Sequence, residues 1–360
     1  MNNASFWRGK RVFLTGHTGF KGSWLCKILE IMGAKVTGYA LSPPAGPNLF
    51  DIVRPDVNSA IGDIRDFASL LAAYKKCSPE VVIHMAAQPL VIQGYREPAE
   101  TYEINVMGTV NLLECVRLSK SAKSVLNVTT DKVYLNRERR KGYREDDTLC
   151  GHDPYSNSKS CSEIVTRGYQ KAFLAESGIA LSTARSGNVI GGGDFAANRL
   201  LPDCARAAAN GEKIVIRNPN SVRPYQHVLD TLFAYLLIAR RQYEDPTLAG
   251  SYNIGPQEDG CLTGAKLADL FCEAWGEGAG WEHLPANTPR ESGLLTLDCS
   301  KIRRTLGWLP RLSLEEAVKA AAEWYKAYYG GSNGAADIVT RQIKEFALHG
   351  IKTGQGDLFE

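Results

Sequence analysis

Residues 11–31, RVFLTGHTGFKGSWLCKILEI, decide how the chain is read. An apolar run of strand length, RVFLT, ends in three glycines spaced three apart, Gly16, Gly19 and Gly22, and a segment of helical period follows at once. A strand that turns tightly into a helix brings the helix's unbonded N–H groups to the turn, where an anion such as a pyrophosphate can sit. Glycine suits the turn because it adopts backbone conformations other residues resist and lets a ligand approach the main chain. Together with His17, Thr18, Phe20 and Lys21, the three glycines form the expected dinucleotide-binding loop. The spacing alone is weak evidence; its place between strand and helix gives it weight.

Outward from this loop the same alternation repeats. KVTGYAL, VVIHMAA and SVLNVTT are of strand length, and RDFASLLAAYKK and INVMGTVNLLECVRLSK carry a helical period. Repeated β-α units predict an α/β fold, a doubly wound parallel Rossmann-type sheet with right-handed crossovers, over residues 1–186. After residue 186 come Gly-, Asn- and Pro-rich connections (GNVIGGGD, RNPNSVRP, NIGPQEDG), with helices expected near 200–210, 228–242 and 263–275. This half, 187–330, reads as a smaller, interleaved substrate domain, with segments such as 226–256 returning to the first. Residues 331–360 read as a Gly-rich hinge, a last helix near 336–348 and a frayed tail, GQGDLFE.

Composition narrows the function. In 360 residues, 42 basic side chains against 39 acidic ones give a formal charge of +3 without a long basic block, so nucleic acid is not an expected partner. The nine cysteines are scattered and never form C-x-x-C, which points to reduced thiols and a cytoplasmic address. No signal-peptide run or membrane-length apolar span is present, so no membrane role is expected. The six histidines show no metal-ligand spacing, and no metal is predicted. His84 reads as a core residue and Asp230 as a helix N-cap.

Tyr155 and Lys159, in DPYSNSK, lie four apart at the start of a helical stretch and project from one face. An ammonium beside a phenol favours the phenolate, which makes tyrosine a usable base for an alcohol proton. The dinucleotide reading implies a nicotinamide cofactor. Where a carboxylate commonly takes the ribose hydroxyls at the end of the second strand, this chain has Tyr39 to Ser42, which leaves NADP open. No arginine stands beside that strand for a 2′-phosphate, so NAD is the expected cofactor. Asp63, in GDIRD, can reach an adenine or cap the next helix.

The phrases TGHTGFKG, HMAAQ, VTTDKVY, DPYSNSK and RPYQHVLD, spread over residues 7–325, resemble the extended short-chain dehydrogenases, the group of nucleotide-sugar epimerases and dehydratases. Within it, TGHTGFKGSWL, YALSPPAGPNLF, AAQPLV, TTDK, GNVIGGGD and RNPNSVRPYQHVL resemble the CDP-glucose 4,6-dehydratase family. The resemblance implies a redox-neutral cycle on bound NAD that turns CDP-glucose into a 4-keto-6-deoxy sugar and water, supplying deoxysugars for surface polysaccharide. It implies that Tyr155 takes the 4-hydroxyl proton, that Lys159 supports it and holds the nicotinamide ribose, that Thr130 binds the 4-oxygen, and that Asp131 protonates the departing water. Lys132 replaces the glutamate expected as the C5 base in dTDP-glucose enzymes, and the C5 base stays open, because a lysine serves only with a lowered pKa. Asp63, Ile64, Ala86, Ala87 and Gln88 are further expected at the cofactor; Asn188 resembles the family asparagine that contacts the nucleotide diphosphate, and Arg217, Arg223 and Arg290 are candidates for that diphosphate because a guanidinium binds phosphate bidentately, with Arg223 favoured by the resemblance. It implies a homodimer formed through the helices near 99–119 and after 155. The rival readings are a dehydratase of dTDP-glucose or GDP-mannose, a 4-epimerase, and a non-catalytic sensor that keeps the fold.

Overall fold

The computed structural model describes residues 3–256, 260–284, 293–331 and 334–352. In chain order the strands are β1 (Arg11–Thr15), β2 (Lys35–Ala40), β3 (Asn58–Ile61), β4 (Val81–His84), β5 (Ser124–Val128), β6 (Ala180–Ser186), β7 (Asn188–Ile190), β8 (Ile214–Ile216), β9 (Val222–His227), β10 (Ser251–Ile254), β11 (Cys261–Thr263) and β12 (Trp281–His283). Seven of them form one sheet in the order β10-β6-β5-β4-β1-β2-β3, parallel throughout. This is the doubly wound sheet expected from the repeated β-α pattern.

Strand alternation shows why both faces must be covered. Val12 and Leu14 of β1, Val81 and Ile83 of β4, and Leu126 and Val128 of β5 enter one apolar core. Phe13, Val82 and Val125, each next to one of these along its strand, enter the other. The helices Phe20–Ile31 and Val228–Glu244 contribute to the first core, and Phe67–Cys77 and Gly108–Ser119 to the second. Chain order reverses between β1 and β4, which opens a crevice at their carboxyl ends, the place where such sheets bind ligands.

β6 and β10 were less evident in the sequence because their interior residues are partly polar. In β6, Ser182 donates to Gln242 (2.5 Å), Thr183 donates to Glu163 (2.8 Å), and Ser186 shares a hydrogen bond with Tyr235 (2.8 Å). β7, β9 and β11 form a second, three-stranded sheet, and β8 pairs with β12. The last helix runs from Ala335 to Lys352. Among the described residues no disulfide joins the nine cysteines, and no helix is long and apolar enough to cross a membrane.

One expectation needs correction here. His227, not Asp230, caps the helix Val228–Glu244: its Nδ1 accepts from the Leu229 N–H at 3.3 Å. Asp230 lies inside the first turn, buried, and accepts from the backbone N–H groups of Arg311 (2.6 Å) and Leu312 (3.4 Å), which ties the approach to the helix Leu314–Tyr329 onto the main core. His84 is a core residue, bonded through Nδ1 to Thr15 (2.7 Å) and Nε2 to Thr109 (3.3 Å).

Burial brings His84 and His227 down to about 3 and His17 to about 4. The unfolded chain protonates these rings below about pH 6.5 while the folded chain does not, so acid favours unfolding. Burial raises Asp230 to about 7, which opposes this with one proton held by the folded state. The net, rising from under one proton near pH 6.5 to about two near pH 5, predicts a stability loss of roughly 3 kcal/mol over that range. Urea unfolding at the two ends of this range checks it; equal free energies would contradict the buried neutral histidines.

Candidate active site

The glycine loop is built for close approach. Gly16, at φ +77°, leaves β1, and a Cβ there would stand 2.8 Å from the Ala86 nitrogen, so the loops after β1 and β4 touch at the reversal of strand order. A Cβ on Gly22 would stand 2.1 Å from the Gly16 carbonyl oxygen, so only glycine lets the helix begin so near the turn. Gly19 is the N-cap and provides no side-chain cap, which leaves the first turn of Phe20–Ile31 without a side-chain hydrogen-bond acceptor. That combination suits a pyrophosphate. Thr18 donates to the Leu41 carbonyl (3.0 Å), and the buried His17 ring lies over Gly38 and shares a hydrogen bond with Ser59 (2.7 Å). Both side chains therefore shape the loop from within.

Past β5, the next residues carry the chemistry. Thr130 donates to Asp131 Oδ1 (3.0 Å), and Lys132 Nζ stands 3.7 Å from the same oxygen. Asp131 is fully buried, and its Oδ2 has no hydrogen-bond partner among the described residues. A buried carboxylate oxygen left in this condition is poised to meet a ligand hydroxyl.

Tyr155 and Lys159 project from the helix Pro154–Tyr169, whose N-cap Asp153 accepts from the Ser156 N–H (3.0 Å). Both are buried. Burial raises the Tyr155 phenol above its ordinary value, and Lys132, then the Thr130 hydrogen bond, pull it back. The helical spacing had pointed to Lys159 as the cation acting on the phenol. In the structure the Lys159 ammonium donates to the Val128 carbonyl (3.1 Å), and Lys132 is the stronger influence on Tyr155. Burial lowers Lys159 itself to about 8, against the pull of Glu163 one turn later.

Lys21 adds a further buried cation. It reaches Tyr235 Oη at 3.4 Å, and burial, then the charges of Arg199 and Lys159, bring it down to about 7 against the pull of Asp131. Arg199 in turn pairs with Asp194 at 3.0 Å. Tyr235, Ser186 and Arg199 thus belong to the site's surroundings although no local motif marks them; they come from β6, from an irregular loop and from the helix Val228–Glu244. Only a register for the full sheet would have brought them to the loop.

The remaining predicted positions are spread along the crevice and beyond it. Ile64 is core, packed against Gly108. Asp63 binds Arg65 (2.7 Å) and does not cap the next helix; Asp66 does, because its carboxylate accepts from the Ser69 N–H. Arg65 also pairs with Glu100 (3.3 Å) and Glu103 (3.4 Å), so three carboxylates share this guanidinium. Ala86 and Ala87 line the loop after β4. Gln88 is turned to scaffolding: its amide donates to Thr101 (2.9 Å), its side-chain oxygen accepts from the Leu90 N–H (2.5 Å), and its backbone is held by Asn105 (2.9 and 3.1 Å).

Asn188 opens β7 and pairs in register with Tyr225 of β9, the strand that carries the buried Arg223. Arg217 binds Asn198 (2.7 Å) near Asp203 (3.7 Å). Arg290 lies outside the described residues.

Residues 13–321 match the family model described as GDP-mannose 4,6 dehydratase. The chain belongs to this nucleotide-sugar 4,6-dehydratase family. Within the family's wider relations, the CDP-glucose 4,6-dehydratase of Salmonella typhimurium strain LT2 is 47% identical over 341 residues, covering 92% of this chain and 95% of that protein. Among solved structures, a dTDP-glucose 4,6-dehydratase from Bacillus anthracis in complex with NAD superposes with a TM-score of 0.76 at 21% identity, covering 90% and 99% of the two chains. DesIV, a dTDP-glucose 4,6-dehydratase from Streptomyces venezuelae, gives 0.75 at 23%, covering 89% and 98%. These two establish the shared fold of the dehydratase.

Gly22→Ala places a methyl against backbone, so it is expected to destabilise the dehydratase by about 1–3 kcal/mol, the range for overpacking. Thermal unfolding without ligand checks this, and an unchanged midpoint would contradict the close approach of helix and loop.

Proposed function

We propose that this protein is a CDP-glucose 4,6-dehydratase, converting CDP-D-glucose to CDP-4-keto-6-deoxy-D-glucose and water with bound NAD, in the cytoplasm. The observation that carries the reading is the buried Tyr155 facing the Thr130–Asp131–Lys132 strand end. The extensive identity to the Salmonella CDP-glucose enzyme favours CDP-glucose among nucleotide sugars.

The residues divide the work as follows. The glycine loop and the uncapped start of Phe20–Ile31 receive the cofactor's pyrophosphate, with Lys21 beside it. The Arg65 guanidinium, already shared by three carboxylates, offers little to a 2′-phosphate, which supports NAD over NADP. When bound, NAD supplies the reversible hydride acceptance that a redox-neutral sequence needs. Tyr155 takes the 4-hydroxyl proton, helped by Lys132 and Thr130, and Thr130 orients the oxygen. Lys159, anchored on Val128, holds the nicotinamide ribose. Asn188, Arg217, Arg223 and Arg290 take the nucleotide diphosphate, for which guanidinium groups are well suited.

Water loss needs a base at C5 and an acid at the 6-hydroxyl. Lys132 and Asp131, 3.7 Å apart, can provide both if the pair enters the step with its shared proton on the carboxyl. The amine then takes the C5 proton, the carboxyl gives its proton to the leaving hydroxyl, and the pair ends as an ammonium and a carboxylate.

A panel of CDP-, dTDP- and UDP-glucose and GDP-mannose, with product mass measured, tests the reading. Loss of water from CDP-glucose alone is expected, and Tyr155→Phe should lower that turnover at least a thousandfold while NAD binding persists. Water loss from another sugar would move the substrate, an isomer of unchanged mass would make the protein an epimerase, and no turnover with intact NAD binding would make it a sensor.

The same reading includes a homodimer. Met107, Leu118, Ile164 and Phe173, on the helical stretches 98–119 and 154–174, are roughly half exposed, apolar surface that a second copy of the chain would cover. Light scattering is expected to give twice the chain mass, and Met107→Glu with Ile164→Glu should halve it; a single-chain mass for the unaltered protein would refute the dimer.

A further inference from the structure

Glu163 stands one helical turn beyond Lys159 and is buried, yet no step described above uses it. Its carboxylate collects four donors from three residues on two neighbouring strands. Thr129, just past β5, donates to Oε1 at 2.5 Å; Thr183 of β6 donates to Oε2 at 2.8 Å; and Arg185, also of β6, donates from Nε at 3.0 Å and from Nη2 at 2.8 Å. Arg185 is wholly buried and fixed in turn by Tyr134 Oη (2.8 Å) and the Glu145 carbonyl (3.1 Å).

Each of these bonds stabilises a buried charge. One of them has a different geometric consequence. Thr129 immediately precedes Thr130 and Asp131, and the preceding residue, Val128, is the one whose carbonyl receives Lys159. The helix bearing Tyr155 and Lys159 is therefore tied to the end of β5 at two successive residues: Lys159 reaches down to Val128, and Glu163 receives Thr129. Thr183 reaches the same carboxylate from the neighbouring strand, whose end holds none of the groups assigned to proton transfer.

We propose that Glu163 is a positioning residue for the dehydratase reaction, locking through Thr129 the strand end that carries Thr130 and Asp131 against the helical turn that carries Tyr155 and Lys159. The inference rests on the reading of the site as a dehydratase. Its physical content is distance: proton transfer tolerates displacements of only a fraction of an ångström, so loosening the strand end costs turnover without a matching loss in binding.

Thr129 and Thr183 permit a matched comparison. Thr129→Val removes one hydroxyl and preserves shape, and Glu163 keeps Arg185 as its partner, so no charge is left unpaired. Thr183→Val makes the same deletion on the same carboxylate from the strand that does not lead to Thr130. Steady-state kinetics with CDP-glucose on the full-length protein, with thermal unfolding of each variant, is expected to show kcat lowered tenfold or more in Thr129→Val with KM changed less than twofold. Thr129→Ser, which keeps the donor, should restore kcat to within threefold, and Thr183→Val should remain within twofold of the unaltered enzyme.

Equal losses in Thr129→Val and Thr183→Val, or a Thr129→Val enzyme within twofold of the original, would overturn the inference. So would failure of both Thr129→Val and Thr129→Ala to fold, which would make Thr129 a purely structural residue. Absence of turnover in the unaltered protein would instead count against the dehydratase reading, a result distinguishable from any of these.

Discussion

The active region depends on keeping charged groups out of water at the carboxyl end of β5. Lys159 gives its ammonium to a backbone carbonyl, Asp131 lies fully enclosed with one oxygen that finds no partner among the described residues, and the Glu163–Arg185 pair is buried nearby. Isolated charges in such surroundings cost several kcal/mol, so each must be paired, hydrogen-bonded or shifted toward neutrality. The low value of Lys159, about 8, and of Lys21, about 7, express that pressure directly. Proton-transfer groups that sit close to neutrality near pH 7 are useful as acids and bases for the same reason that they are difficult to bury.

The doubly wound sheet supplies the place for this arrangement. Because chain order reverses between β1 and β4, the glycine turn and the loop after β4 meet, with β5 next in line. A pyrophosphate at the start of Phe20–Ile31 and a sugar over Tyr155 would then lie along one row of strand ends. The second half of the chain supplies walls. β6 brings Ser186, and the helix Val228–Glu244 brings Tyr235, which meets Lys21 of the glycine loop, so the crevice is assembled from segments far apart in sequence.

How much of this could be read beforehand follows from the range of the physics involved. The glycine loop, the parallel sheet and the Tyr155–Lys159 helix were legible because period, turn chemistry and spacing act within a few residues. Local reasoning failed where partners were distant. Asp230 looks like a cap but is claimed by Arg311 and Leu312, and the phenol of Tyr155 answers to Lys132 more than to the lysine on its own helix face. Glu163 gave no signal at all: in the sequence it is one acidic residue on a helix, and its importance comes only from Thr129, Thr183 and Arg185 on neighbouring strands.

A pocket that carries out oxidation, elimination and reduction without opening must return the hydrogen it removes. The most direct measurement is the fate of deuterium when CDP-glucose labelled at C4 is turned over in ordinary water and the product is read by NMR. The account predicts a 4-keto-6-deoxy sugar with the deuterium at C6. Deuterium released to solvent, or retained at C4 in a sugar that has lost no water, would contradict it.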